Sequence, residues 1–183
     1  MSRLTIKQVA ELMVKVFNLD HDELPFIQGR LKNFNAKLGI LHTEEADDFH
    51  RTRSLDKVGA AEAVLFSELV DIGFDAQVLR EVREYLDRFP QKMKLVTNQQ
   101  LFRDMDSPRF EIKLYRGDNP LMRRRFFLHT FDEGKSRVSQ TLENFEIHDK
   151  RLATVLTVDL KVLLSEFLFE FGQATMFGDR YWQ

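Results

Sequence analysis

The sequence predicts an α+β protein, helical through its first half and strand-bearing in its second. Apolar residues recur at helical spacing from Ile6 to Leu86. Beyond them, Phe110-Glu111-Ile112-Lys113-Leu114-Tyr115 alternates apolar and polar with period two, as a half-buried strand does. Between Arg88 and Asp104 the chain turns polar, which places a boundary there. Residues 1–90 are therefore expected to form a helical domain and residues 91–183 a small α+β domain.

The elements follow in order. Thr5 is placed to cap a first helix with Ile6, Val9, Ala10, Met13, Val14 and Phe17 on one face. Asn18 to Glu23 reads as a polar turn. Leu24, Phe26, Ile27, Leu31, Phe34 and Leu38 form a second stripe that Gly39 stops. His42 to Arg53 lacks periodicity and reads as a small hairpin or an irregular loop. Leu55 to Ile72 predicts a helix closed by Gly73. Asp75 caps the next, which Phe89-Pro90 ends, because the residue before proline disfavours the α region. Arg116 to Pro120 is a turn, Arg124 to Phe131 a second strand, and Asp132 to Ser136 another turn. Thr154 to Asp159 reads as a further strand leading into an apolar helix from Leu160 to about Phe171.

Composition narrows the classes. The 183 residues are 43% apolar, enough for a core, and contain no cysteine, which excludes disulfides, thiolate metal sites and a cysteine nucleophile. Lys7, Gln8, Glu11 and Lys15 interrupt the first apolar stretch, so no secretory leader is visible. Val162 to Phe171 is too short to cross a bilayer and holds Glu166 and Glu170. These features predict a soluble, cytoplasmic protein with no membrane partner. Net charge is −2: residues 1–90 hold 12 Lys and Arg against 16 Asp and Glu, residues 91–183 hold 15 against 13. Strong non-specific DNA binding is therefore not expected. Yet no acid occurs between Glu23 and Glu44, where Arg30, Lys32 and Lys37 fall, so a local basic patch is compatible with the total.

Thr5-Ile6-Lys7-Gln8-Val9-Ala10, the basic stretch from Arg30 to Lys37, Gly39-Ile40-Leu41, Arg51 with Arg53, and the Ala60 to Phe74 segment with its Gly-Phe exit occur in a telling order. In that order they resemble the winged helix-turn-helix domain of the MerR family of DNA-binding regulators. The resemblance covers about residues 4–88. It implies that the first two helices form the helix-turn-helix, that a hairpin wing follows, and that two further helices pack against these. Gln8 stands where a glutamate is common, and Phe34 and Asn35 where an aromatic pair is usual. The interval from Ala10 to Gly39 is longer than in the family, and Pro90 stands where the family continues into a long dimerisation helix. The resemblance further implies that the second helix enters the major groove, with Arg30, Lys32, Asn33 and Lys37 as donors and Asn33 matched to adenine. Arg51 and Arg53 would contact phosphates or the minor groove from the wing.

Other constellations carry less. His42 and His50 flank Glu44, Glu45, Asp47 and Asp48, but the spacing matches no metal signature and a solvated acidic loop accounts for it. Asp104-Met105-Asp106 and Asp132-Glu133 are acids beside turns, and Gly134-Lys135-Ser136 lacks the earlier glycine of a phosphate loop. Arg123-Arg124-Arg125 before Phe126-Phe127 is the densest basic cluster; a strand would put Arg124, Phe126 and Leu128 on one face, a structural rather than nucleic-acid-binding arrangement. Among the 17 phenylalanines, Phe167, Phe169 and Phe171 make the last helix apolar on more than one face, so it must be buried in a core, the default, or in a subunit interface; they are expected to form a self-association surface in place of the missing dimerisation helix.

The sequence thus predicts a sequence-specific transcriptional regulator, dimeric and non-catalytic, without cofactor or metal. Its expected partners are double-stranded DNA, a second copy of the chain, and a small-molecule or protein effector at the C-terminal domain. The alternative is a non-enzymatic interaction or ligand-binding protein that keeps the fold without DNA binding. A hydrolase with an unrecognised carboxylate site is a third class.

Overall fold

The computed structural model describes residues 3–45, 53–98, 108–116, 124–129 and 151–182. The chain begins with β1 (Leu4–Thr5) and α1 (Ile6–Val16). Thr5 caps α1 through a reciprocal box: its hydroxyl accepts from the Gln8 amide, and the Gln8 side chain accepts from the Thr5 amide at 3.0 Å. After Asn18, whose φ of 51° reverses the chain, a single 3₁₀ turn at His21–Glu23 leads into α2 (Leu24–Ala36), with Pro25 in its first turn where a missing N–H costs nothing. Gly39, at φ 64°, redirects the chain toward β2 (Glu44–Glu45).

β3 (Arg53–Leu55) pairs antiparallel with both β2 and β1, giving the order β1-β3-β2. The segment from His42 to Arg53 is thus strand-bearing at both ends. α3 (Lys57–Asp71) begins at the Asp56 cap, and α4 (Ala76–Arg88) at the Asp75 cap, whose carboxylate accepts from two backbone amides. Gly73, at φ 104°, makes the turn between them. Phe89 leaves helical geometry, as expected before proline, but Pro90 does more than stop α4. It occupies the first position of α5 (Pro90–Thr97), which packs on α3 and α4 and buries Met93 and Val96.

The second sheet has β4 (Arg109–Arg116) between β5 (Arg124–His129) and β6 (Arg151–Asp159), both antiparallel to it. Phe110 lies opposite Leu128 and Val158, and Ile112 opposite Phe126 and Leu156, so one face is apolar. That face receives Tyr85 of α4, whose ring lies 6.2 Å from Phe110 and whose hydroxyl accepts from the Leu128 amide at 2.8 Å. α6 (Leu160–Phe177), longer than the period-based expectation, starts at the Asp159 cap and ends in a 3₁₀ turn at Gly178–Trp182. It returns across the molecule to pack on α1 and α3 as well as on β4 and β6.

A single hydrophobic cluster therefore runs from Leu4 to Ala174. The architecture is α+β, as the periodicities predict, and its strands fall into two small antiparallel sheets. Among the described residues no helix is long and apolar enough to cross a membrane.

Candidate nucleic-acid interface

α2 positions the candidate side chains by rotation. Ile27, Leu31 and Phe34 face the core, with Phe34 edge-on to Phe66 of α3 at 6.2 Å. At about 100° per residue the opposite face carries Pro25, Gly29, Lys32, Asn33 and Ala36. Lys32 and Lys37 diverge by about 140° on that helix, so they do not address one surface together.

Lys32, Asn35 and Ala36 form one wall of an open groove of about 650 Å³; Thr5, Ile6 and Lys7 of the β1–α1 junction and Arg53 of β3 complete it. Three cations from three elements thus converge on one concave surface beside the N-terminus of α1, where the helix dipole adds positive potential. Lys7 also reaches Glu11, one turn on, at 3.5 Å. Asn35 accepts a hydrogen bond from the Thr43 hydroxyl at 3.0 Å, fastening the end of α2 to the chain entering β2.

Of the sequence-predicted DNA contacts, Lys32 and Arg53 line this groove and Asn33 is exposed on the same side of α2. Lys37 lies beyond the last turn, on a different azimuth. Arg30 is corrected. Its guanidinium is clamped bidentate by Asp71 of α3 at 2.7 and 2.9 Å and lies 4.9 Å over the Phe26 ring, pointing toward α3 rather than outward. Arg51 lies outside the described residues, as do His50, Asp47, Asp48, Arg123, Asp104, Asp106, Asp132, Glu133 and Gly134 to Ser136. Lys7 was missed by sequence reasoning, because its neighbour Lys32 is distant along the chain and only the α1–α2 packing joins them.

No protein-family model matches the chain, and no curated protein matches it.

Acidic residues stand on β2, the neighbour of β3. Arg3 is ion-paired with Glu44 of β2, and Glu45 is the strand partner of Arg53. Behind β3, a polar chain crosses the helical layer. Glu62 of α3 accepts from Arg83 of α4 at 2.5 Å, Arg83 reaches Asp87 at 2.8 Å, and Asp87 meets His42 at 3.1 Å. Burial pushes the Glu62 carboxyl up despite the facing guanidinium. Burial would also raise Asp87, but hydrogen bonds from His42 and Arg83 outweigh it and hold that carboxyl below its ordinary value. Gly59 lets α3 come close here: a Cβ would lie 3.1 Å from Leu55 and 3.4 Å from the His42 carbonyl. Among the described residues no three His, Asp or Glu side chains converge in a metal-binding arrangement.

The self-association expectation divides. Phe167 and Phe171 are buried in the core, packed 6.4 Å apart, and present no surface to a partner. Phe169 lies on the opposite side of α6 and is 46% exposed. Val162, 82% exposed, and Met176, 73% exposed, fall seven residues before and after it, which aligns all three on one stripe. The seven-residue spacing was present in the sequence, but eclipsed by the denser aromatic cluster.

Proposed function

We propose that this chain is a sequence-specific, non-catalytic DNA-binding transcriptional regulator of MerR-like architecture, acting as a dimer. The carrying observation is the convergence of Lys7, Lys32 and Arg53 on one groove flanked by the outward face of α2. The order β1-α1-α2-β2-β3-α3-α4, with Gly73 between the last two helices, supports the architecture. In this reading α2 lies in the major groove with Lys32 and Asn33 toward base edges, while Lys7 and Arg53 hold the flanking phosphates. The stripe of Val162, Phe169 and Met176 supplies the contact between two copies, so that two α2 helices address paired half-sites.

The test is binding to double-stranded fragments from around the protein's own gene across a salt series, wild type against Lys7→Ala/Lys32→Ala. Each lost phosphate contact should flatten the slope of log K against log salt by about 0.9. Unchanged slope and affinity in the double variant would remove α2 and α1 from the interface.

A second reading is favoured by the acidic strand β2, whose Glu44 ion-pairs with Arg3 and whose Glu45 lies in register with Arg53, and by the clamped Arg30: an interaction protein that keeps the fold without DNA binding. Absence of binding at low salt by the folded protein would select it.

A further inference from the structure

α6 buries one side through Leu160, Leu164, Phe167, Leu168, Phe171 and Ala174. Val162, Phe169 and Met176 run down the centre of the opposite, exposed side. Positions seven apart on a helix drift by only about 20°, so the stripe is nearly straight over about 21 Å. At about 100° per residue, Ser165 and Gly172 fall on one flank of it, Glu166 and Gln173 on the other. The side chains of Glu166 and Gln173 make no hydrogen bond or ion pair among the described residues. Ser165 already donates its hydroxyl proton to the Lys161 carbonyl.

The pattern repeats in both directions from Phe169. Three or four residues away stand a small residue on one flank and a carboxylate or amide on the other. Seven residues away stands an exposed apolar side chain. A surface of this kind is complementary to itself under a two-fold axis, the commonest symmetry of paired chains.

Two directions of that axis bring α6 against α6. An axis along the helix sets two copies parallel. Glu166 then faces Ser165 of the second copy, whose proton is already committed, and like ends of the helix dipoles meet. An axis across the helix at Phe169 reverses one copy. Phe169 then meets Phe169, Val162 meets Met176, and Glu166 accepts from the Gln173 amide of the second copy, twice by symmetry. Ser165 and Gly172 face each other on the remaining flank, where their small size lets the helices approach, and the dipoles run opposed.

Resting on the dimeric reading above, we infer that this face of α6 takes a second copy of the chain, antiparallel about a two-fold axis at Phe169. Apolar contact along the stripe supplies the affinity, and the two Glu166–Gln173 pairs set direction and register.

The chain has no cysteine, so a single introduced thiol reports only what it meets across the interface. The full chain is oxidised mildly without nucleic acid and read on non-reducing gels. Phe169→Cys should cross-link as a dimer. Val162→Cys alone and Met176→Cys alone should not, because each thiol lies about 21 Å from its own counterpart, beyond the reach of a disulfide. An equimolar mixture of those two variants should cross-link. Gln173→Glu sets like charges opposite Glu166 and should raise the dimer dissociation constant about tenfold by sedimentation. Glu166→Gln/Gln173→Glu exchanges the pair and should restore it. A disulfide in Val162→Cys alone, or no rescue in the exchanged variant, would overturn the antiparallel arrangement and leave the dimer standing. A monomeric wild type would overturn both. An antiparallel dimer that fails to bind DNA would count against the regulator reading alone.

Discussion

The Lys15 ammonium on α1 donates to the Glu170 carboxylate of α6 at 2.7 Å, although 155 positions separate them in the chain. It also donates to the Tyr181 hydroxyl at 2.8 Å, and Tyr181 in turn donates to Glu170. This cluster fastens the C-terminal turn to the first helix. The hydrogen bond from Lys15, then that from Tyr181, holds the Glu170 carboxyl below its ordinary 4.5. Its contribution is therefore present above the unfolded-state value and fades as pH falls through the folded one. Lys15 is raised, first by its hydrogen bond to Glu170, so its contribution holds at neutral pH and is lost as pH rises through the folded value. Glu170→Gln should lower stability at pH 7 by less than about 1 kcal/mol, because the Lys15 side chain is 57% exposed and solvent screens its end of the pair. The difference should shrink as pH falls below the unfolded carboxylate range and disappear once it has passed the folded value. Thermal melts across pH would show it; a constant difference would remove Glu170 from the linkage.

The buried Glu62–Arg83 pair predicts an asymmetry. Arg83→Met strands the Glu62 carboxylate in the core, at a cost of about 3–5 kcal/mol. Glu62→Leu leaves Arg83 its second partner, Asp87, and should cost clearly less. The double replacement should recover most of the loss, since a well-packed apolar pair is often as stable as the ion pair it replaces. Urea unfolding of the four proteins completes the cycle, and equal single-variant costs would contradict the role given to Asp87.

Phe167 and Phe169 are two positions apart and should behave oppositely. Phe167→Ala opens a cavity in the core and should destabilise by about 3–5 kcal/mol. Phe169→Glu should leave the melting temperature of the monomer nearly unchanged and abolish self-association, read by sedimentation. A monomeric wild type would sink the assignment of the Val162, Phe169 and Met176 stripe.

Gly29 lies mid-helix on the outward face of α2, and a Cβ there would meet nothing within 4 Å. Gly29→Ala should stabilise the fold by about 0.5–1 kcal/mol. The proposed interface adds a second consequence: the added methyl projects toward DNA and should weaken binding while the protein itself becomes more stable. Gain in both stability and affinity would place the DNA elsewhere.

The first half was legible because its signals are local. Thr5, Asp75, Gly39 and Gly73 act within one helical turn of where they stand, and each marks the boundary that its chemistry predicts. The short α5 was not foreseen, since Pro90 serves equally as a stop for one helix and a start for the next. The candidate site was legible only in part. Lys32 and Arg53 stood out as basic residues near a glycine stop and a polar interval, but their joining with Lys7 depends on how α1, α2 and β3 pack. Arg30 looked equivalent to Lys32 by composition. Two positions on a helix are about 200° apart, however, and that rotation delivers Arg30 to Asp71.

The amino-acid order alone determined the longer helices, the strands of the second sheet, the caps and turns that bound them, and the absence of thiol chemistry, because each depends on short-range periodicity or on a residue's own chemistry. Tertiary structure decided which charges stay outward, which phenylalanines fill the core, and that α6 closes over α1 and α3. The physical reason is distance along the chain. Contacts such as Lys15 with Glu170, or Arg30 with Asp71, form only when burial of the shared apolar cluster brings remote segments together, and no local pattern encodes the azimuth at which they meet.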